Sequence, residues 1–240
     1  MGTTLIENGS IVTCDAQDRI ISNGYLVVED EAIGKIGSGP APQELRDRAD
    51  TRIDASLMAV MPGMVNAHTH LFQSLLRGLA DDKTLLEWLE TAIWPVAQNL
   101  TGRDSYYAAQ LGFVENIRSG ATSVIDHQYI HKEPENDEQV FRAAEELGVR
   151  FMLSYGWADM DYHPALQLTA QYITSETERL YSSWHGKAGG RLRFQFGPVI
   201  PWGCSDGTMK TTWDMAKEWG VGTHIHVAET REEVETNLKT

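Results

Sequence analysis

Hydrophobic and polar positions follow two different rhythms along the chain. Up to about residue 59, short apolar runs alternate with turn signals such as Asn8-Gly9 and Asn23-Gly24, which predicts a small β domain. From Pro62 onward, short apolar runs alternate with longer helical stretches, which is typical of βαβ units around a parallel sheet. We therefore expect a β domain over residues 1–59 and an α/β domain over residues 60–240.

The second part of the chain predicts five strands separated by helices. The strands are expected at 59–65, 121–126, 149–155, 192–199 and 221–227, and the helices near 85–98, 104–119, 137–147, 164–184 and 208–219. Gly148 follows a helical stretch and precedes a strand, as a glycine that ends a helix does.

Two of the predicted strands end in histidines. The first ends in His68-Thr69-His70, and the fifth ends in His224-Ile225-His226. Side chains two residues apart on a strand share a face, so His68 and His70 can bind one metal ion together. A His-x-His pair alone is weak evidence, and two surface histidines are the plainer alternative. The second histidine-bearing strand, with Glu229 three residues after His226, favours a metal site.

Composition restricts the kind of partner. The chain has 20 Lys plus Arg against 34 Asp plus Glu, and this net charge of −14 repels nucleic acid and anionic membranes. Cys14 and Cys204 do not predict a disulfide framework, which fits a reducing cytoplasm. No apolar run approaches the ~18 residues of a membrane span, and the N-terminus lacks the pattern of a signal peptide. We therefore expect a cytoplasmic globular protein with a small-molecule partner, although simple solubility is the plainer explanation of the acidic charge.

The histidine motifs resemble those of the amidohydrolase superfamily. Its members open a (β/α)8 barrel with Pro-Gly-x-x-x-x-His-x-His, which stands here from Pro62 to His70, and place another metal histidine at the end of the fifth strand. The resemblance is strongest over 62–94 and 224–233, in the subgroup of heterocycle aminohydrolases and s-triazine hydrolases. It implies an α/β fold, a TIM-type (β/α)8 barrel with strands one to five present, preceded by part of a small β-sandwich domain. Because five strands do not close this barrel, we expect 60–240 to be its first part, incomplete at Thr240; a genuine truncation is the alternative.

The resemblance also implies roles for individual residues. It assigns His68, His70 and His226 as ligands of one divalent metal ion, with zinc expected, iron as the alternative, and further ligands beyond Thr240. It assigns Glu229 as the catalytic residue that carries a proton between water and a ring nitrogen. A solvated glutamate at the start of an acidic helix is the simpler alternative for Glu229. His224 is expected to be a packed histidine or one that supports the ligands.

Three residues are candidates for contact with the substrate. Gln73 stands three residues after His70, and its carboxamide offers a hydrogen-bond donor and an acceptor to a ring edge. His127 ends the second predicted strand, and Trp94 is expected to wall an aromatic ring together with Trp88. For each of these residues, core packing or simple solvation is the alternative.

Two departures from the family pattern narrow the expected substrate. Members that bind a ribose carry a glutamate where this chain has Ala97 and a histidine where it has Val199, which disfavours a ribose-binding nucleoside deaminase. The fourth predicted strand has no lysine, which disfavours a two-metal centre.

The expected function is hydrolytic release of ammonia from an amino-substituted purine, pteridine, pyrimidine or s-triazine. A chlorohydrolase acting on a chlorinated s-triazine is one alternative, since the same nucleophile can expel chloride. A non-catalytic metal-binding scaffold is the other. Homo-oligomeric assembly is expected from the family.

Overall fold

The chain divides into two compact units between Gly63 and Met64 in a computed structural model, and the structure describes residues 2–239. No helix among these residues is both long and apolar enough to traverse a lipid bilayer.

The first unit is built on one five-stranded sheet. The strand order is β3-β2-β1-β4, with β5 also pairing with β1; the β1–β2 and β2–β3 pairs are antiparallel, and β4 and β5 run parallel to β1. Leu5, Tyr25 and Val27 form a small core against α1. A β-sandwich stays a prediction, because the described residues of this unit form a single sheet. The elements are β1 (Thr3–Val12), β2 (Ile20–Glu29), β3 (Ala32–Ser38), α1 (Gln43–Arg48), β4 (Thr51–Asp54) and β5 (Ala59–Val60).

The second unit is a parallel sheet with helices packed against one face. The sheet has the order β6-β7-β8-β9, where the strands are β6 (Met64–Thr69), β7 (Ala121–Gln128), β8 (Arg150–Trp157) and β9 (Leu192–Pro198). The longer helices are α4 (Gly102–Arg118), α5 (Pro134–Leu147), α6 (Ala170–Trp184) and α8 (Asp206–Trp219). Shorter segments are α2 (Leu85–Trp88), a π-helical turn (Leu89–Ile93), α3 (Trp94–Ala97), α7 (Lys187–Gly190), α9 (Arg231–Asn237) and two 3-10 turns (Leu71–Leu75 and Pro201–Gly203).

Alternation along the strands places large apolar side chains on the helix-covered face. Val124, Phe151, Leu153 and Phe194 are all buried in the core that the sheet shares with the helices. Gly148 ends α5 with a φ of 73°, a backbone conformation that glycine adopts without steric cost. The predicted second, third and fourth strands are confirmed, and so are the helices near 85–98, 104–119, 137–147 and 208–219. The predicted 164–184 helix begins later, at Ala170.

The predicted first strand, 59–65, is wrong as a single element. Ala59 and Val60 pair with β1 in the first unit, whereas β6 of the second unit begins at Met64. Pro62 lies between them, and a proline has no N–H to donate to a strand ladder.

The predicted fifth strand, 221–227, is also wrong as a regular strand. Thr223 forms one isolated bridge with Phe196, supported by hydrogen bonds from the Phe196 N–H to the Gly222 carbonyl and from the His224 N–H to the Phe196 carbonyl. The next bond of a parallel ladder would require an N–H from Pro198, which has none. The segment therefore runs beside β9 without forming a ladder.

Candidate metal centre

The carboxyl ends of the parallel strands bring distant histidines together. His68 lies near the end of β6 and His70 directly follows the strand, while the segment beside β9 carries His226, which is 158 positions from His68 in the sequence. This is the edge of a parallel sheet at which α/β proteins assemble their sites. All three histidines that the sequence predicted as metal ligands therefore lie side by side.

The distances from His226 to the other two imidazoles fit a single tetrahedral ion. The Nε2 atom of His226 lies 3.2 Å from Nε2 of His70 and 3.4 Å from Nε2 of His68. Nitrogen ligands about 2.0–2.1 Å from a tetrahedral zinc lie roughly 3.3 Å from one another, by simple geometry. Both distances therefore match an edge of such a coordination shell.

Backbone carbonyls fix the protonation of two of these rings. Nδ1 of His70 lies 2.7 Å from the carbonyl oxygen of His127, and Nδ1 of His226 lies 2.8 Å from that of Val199. Since a carbonyl oxygen can only accept, both Nδ1 atoms carry the proton and donate it. Both Nε2 atoms are left with lone pairs, the form in which histidine binds a metal.

His224 supports the third ring. Its Nε2 atom lies 2.8 Å from Nδ1 of His68, and the two ring planes are nearly parallel, at 6°, with centroids 4.9 Å apart. The sequence prediction of a supporting histidine is consistent with this contact, which orients the ring of His68 from the side away from His226.

The surroundings lower the pKa of three histidines of the site. Burial lowers the pKa of His70 to about 3, and the pKa values of His68 and His224 are also lowered, first by burial and then by the neighbouring imidazoles. A metal ion therefore does not have to displace a proton from His70 at neutral pH.

His127 lies behind the cluster and is fully buried. Its Nε2 atom donates to the carbonyl oxygen of Gly197 at 2.8 Å, and its ring stacks on His226 with centroids 4.6 Å apart. His68, His127 and His226 form another possible ligand set, whose atoms lie within 4.8 Å of one another. We favour the set with His70, because Nε2 of His226 lies at the distance of a tetrahedral edge from Nε2 of both His70 and His68. A substrate contact by His127 stays a prediction, and the ring is not among the residues that line the cavity.

A cavity of about 180 Å³ opens beside the histidines. It is smaller than the ~300–1,000 Å³ clefts that hold drug-sized ligands, so its dimensions suit a small ring. Gln73 lines it, and the amide of Gln73 donates to the Tyr129 hydroxyl at 3.0 Å. The other lining residues are His68, His70, Leu85, Trp88, Leu89, Tyr129, Tyr162, Val199, Ile200, Trp202, His226 and Glu229.

Of the two tryptophans expected at the substrate, Trp88 lines this cavity and Trp94 does not. Trp94 packs edge-on against Tyr162, with ring centroids 5.4 Å apart, and Tyr162 in turn lines the cavity. Trp94 thus supports the wall from behind, and its direct contact with a substrate stays a prediction.

Sequence reasoning missed three aromatic residues of the wall. These are Tyr129, Tyr162 and Trp202. A signal existed for Tyr129, because it follows His127 by two residues at the same strand end. Tyr162 lies in an irregular segment and Trp202 in the short 3-10 turn Pro201–Gly203, and in neither does hydrophobic periodicity predict where a side chain points.

The loop that carries Tyr129 is anchored by a buried histidine. His131 donates from Nε2 to the carbonyl oxygen of Gly156 at 2.5 Å, while its Nδ1 atom lies 2.8 Å from Oδ2 of Asp137. All these groups are buried, so the strand β8 and the first turn of α5 hold this loop in place.

Comparison with known proteins places these observations in a family. The chain is 37% identical over 235 residues to a 5-methylthioadenosine/S-adenosylhomocysteine deaminase from Syntrophomonas wolfei, covering 98% of this chain and 51% of the relative. It thus spans about half the length of the curated relatives it matches.

Solved structures share the fold at lower identity. An adenosine deaminase from Xanthomonas campestris with bound zinc has a TM-score of 0.84 and 23% identity, covering 99% of this chain and 52% of that one. Atrazine chlorohydrolase from Arthrobacter aurescens TC1, in complex with zinc, has a TM-score of 0.81 and 19% identity, covering 93% and 52%. The model of the amidohydrolase family matches residues 59–240, and the chain belongs to that family.

Proposed function

We propose that the complete protein is a metal-dependent hydrolase that removes an exocyclic amino group from a nitrogen heterocycle and releases ammonia. One observation carries the proposal, namely that the unprotonated Nε2 atoms of His70 and His226 face each other at 3.2 Å beside a cavity that Glu229 also lines. The names of the deaminase relatives agree with this activity.

In this proposal His68, His70 and His226 hold one divalent ion, with zinc expected from the nitrogen donor set and iron as the alternative. When bound, such an ion lowers the pKa of a water ligand to about 7 and so supplies hydroxide at neutral pH. His224 and the carbonyls of His127 and Val199 orient the three rings.

The remaining side chains bind the ring and move the proton. Glu229 takes a proton from the attacking water and delivers it to a ring nitrogen, so that the adjacent carbon accepts the hydroxide. The second proton of that water passes to the amino group, which leaves as ammonia as the carbon–oxygen double bond forms. The Tyr129 hydroxyl holds the amide of Gln73 in place. Gln73 can then hydrogen-bond the edge of the ring. Trp88 and Trp202 offer flat apolar walls to an aromatic ring.

The substrate is proposed as an aminopurine or a related ring. The relatives are named for adenosine derivatives, which makes those compounds the first to test. Ala97 is fully buried in α3, and the apolar Val199 lines the cavity. Because neither side chain can hydrogen-bond a ribose, free bases belong in the same test.

We also propose that β6 to β9 are the first strands of a (β/α)8 barrel, which the remainder of a longer chain completes. The alternation of parallel strands and helices supports this, as does the likeness to solved structures of which the chain covers about half. The same proposal includes a β-sandwich for the domain of the first unit, a cytoplasmic location and homo-oligomeric assembly.

The test is ammonia release by the complete, metal-loaded protein. The panel contains 5′-methylthioadenosine, S-adenosylhomocysteine, 5′-deoxyadenosine, adenine, guanine, an aminopteridine, cytosine and an amino-s-triazine, with atrazine and chloride detection added. We expect Glu229→Gln to lower turnover by about 10²–10⁴-fold with metal retained, while the exposed control Glu235→Gln stays active. Chloride release without ammonia would favour the chlorohydrolase, and bound metal with neither product would favour a scaffold.

A further inference from the structure

We propose that Glu233 is a positioning residue that sets the place of Glu229 in the cavity. The inference rests on the proposed function, in which Glu229 moves the proton. Glu233 lies in the first turn of α9 and is fully buried, although glutamate is among the residues least often buried.

The backbone before Glu229 is held in an unfavourable conformation. Ala228 has a φ of 58°, in the left-handed region that residues with a Cβ atom rarely adopt. Such a conformation persists only where surrounding contacts enforce it. It turns the chain between His226 and Glu229, so that both residues line the same cavity.

Glu233 supplies the enforcing contact. Its Oε2 atom accepts the backbone N–H of Glu229 at 2.6 Å, and its Oε1 atom accepts from the Asn237 amide at 2.7 Å. The Thr230 hydroxyl accepts the N–H of Glu233 at 3.2 Å and so caps α9. Both oxygens of the side chain therefore have donors, which accounts for a buried carboxyl group at this place.

The bond to Glu229 differs from an ordinary helix cap. In a capping box the carboxyl group of the third helical residue returns to the N–H of the capping residue itself. Here the capping residue is Thr230, and the carboxylate of Glu233 reaches one residue further back, to Glu229. The contact thus restrains the residue that faces the cavity rather than the end of the helix.

The first arm of the test does not need turnover. Amide hydrogen exchange is measured on the complete metal-loaded protein for Glu233→Leu, with the exposed Glu235→Leu as the matched control. We expect the Glu229 amide to exchange at least tenfold faster in Glu233→Leu, while the Val234 amide, bonded to the Thr230 carbonyl, is unchanged. Unchanged protection of the Glu229 amide would overturn the proposal. Glu233→Asp, which keeps the charge but falls short of the amide, replaces Glu233→Leu if that variant does not fold.

The second arm separates positioning from mere stability. With ammonia release as the readout, Glu233→Leu is expected to lower kcat about tenfold with KM and metal content unchanged, and Glu233→Gln to restore most of it through its amide oxygen. In a Glu229→Gln background, Glu233→Leu should have no further effect, because Glu233 acts through Glu229. An equal loss in both backgrounds would refute the proposal. Absence of turnover in the unmodified protein would refute the proposed function, and the exchange result would still decide the role of Glu233.

Discussion

His70 and His226 present their Nε2 atoms to each other across 3.2 Å, although each carries its proton on the opposite ring nitrogen. No hydrogen bond can join two lone pairs, so this approach is repulsive without a cation between them. The carbonyls of His127 and Val199 impose it, because they accept the protons on the other side of each ring. The arrangement therefore directs two lone pairs at one point, as the ligands of a metal ion are directed.

The first prediction concerns His224, which contacts His68 and no other predicted ligand by a hydrogen bond. Replacing it by phenylalanine keeps a flat ring but removes the nitrogen that lies 2.8 Å from Nδ1 of His68. We expect His224→Phe to weaken metal affinity by about 10–100-fold, as loss of a supporting group does. Competition with a chromophoric chelator measures this effect, with His163→Phe as the control. Equal affinities of both variants would contradict the supporting role.

The second prediction concerns the pH dependence that Asp126 confers on stability. Asp126 is fully buried, its Oδ1 atom accepts the N–H of Leu71 at 2.8 Å, and burial raises its pKa to about 8 from 3.8. The folded state thus holds this proton more tightly than the unfolded chain. Asp126 ionises above pH 3.8 in the unfolded chain but only above about pH 8 in the folded protein. The free energy of unfolding therefore falls as the pH rises between these two values.

Asp126→Asn keeps the acceptor and removes the titration. Between pH 3.8 and about pH 8, the free energy of unfolding of this variant should fall less than that of the parent protein. The midpoints of urea unfolding at a series of pH values measure the difference. The exposed Asp161→Asn serves as the control and should follow the parent. Parallel pH profiles of the parent and Asp126→Asn would refute this account.

The third prediction concerns the close approach of β8 to the loop that carries Tyr129. A Cβ atom on Gly156 would lie 2.7 Å from Cβ of Tyr129 and 2.8 Å from the carbonyl oxygen of Gln128. Gly156→Ala should therefore lower the free energy of unfolding by about 1–3 kcal/mol, by overpacking, and displace Tyr129 from Gln73. Gly207→Ala, where the added Cβ atom would meet no atom from elsewhere in the described chain within 4 Å, should be neutral or slightly stabilising. Chemical denaturation of both variants measures these changes in the free energy of unfolding.

The fourth prediction concerns the first unit. Glu7 is 4% exposed and accepts hydrogen bonds from Arg52 at 2.6 Å and Arg46 at 2.9 Å, which lower its pKa below 4.5. Because the folded-state pKa is the lower one, this stabilisation is complete above pH 4.5 and is lost as the pH falls through the folded value.

Glu7→Gln should reduce the free energy of unfolding by about 1–3 kcal/mol at neutral pH, through loss of charged hydrogen bonds. The difference from the parent protein should shrink once the pH falls below 4.5, the ordinary value of this carboxyl group. The exposed Glu44→Gln is the control, and thermal melts over a pH series are the measurement. A difference that persists unchanged in acid would show that the Glu7 charge is not its cause.

The sequence predicted the histidine cluster well, because residues two apart on a strand share a face and parallel strands end at one edge. It predicted the strand boundaries less well where proline intervenes. Pro62 interrupts the first predicted strand, and Pro198 in the fourth lacks the N–H that would pair with the fifth. A pattern of apolar residues does not reveal a missing hydrogen-bond donor. The bond between Glu229 and Glu233 was not predictable either, since it depends on the φ of Ala228, for which the sequence offered no glycine as a signal.

The break at Pro198 leaves the segment of His226 joined to the sheet by few backbone bonds. An ion shared by His68 and His226 would close a loop between positions 158 apart, much as a disulfide does. Unlike a disulfide, such an ion leaves when the chain unfolds, so it stabilises the folded state by mass action, by about 2.7 kcal/mol when free metal stands at 100 times its Kd. A metal in this centre would thus act as a cross-link that fastens the last segment of the sheet to the first strand, and folding and metal uptake would become one equilibrium.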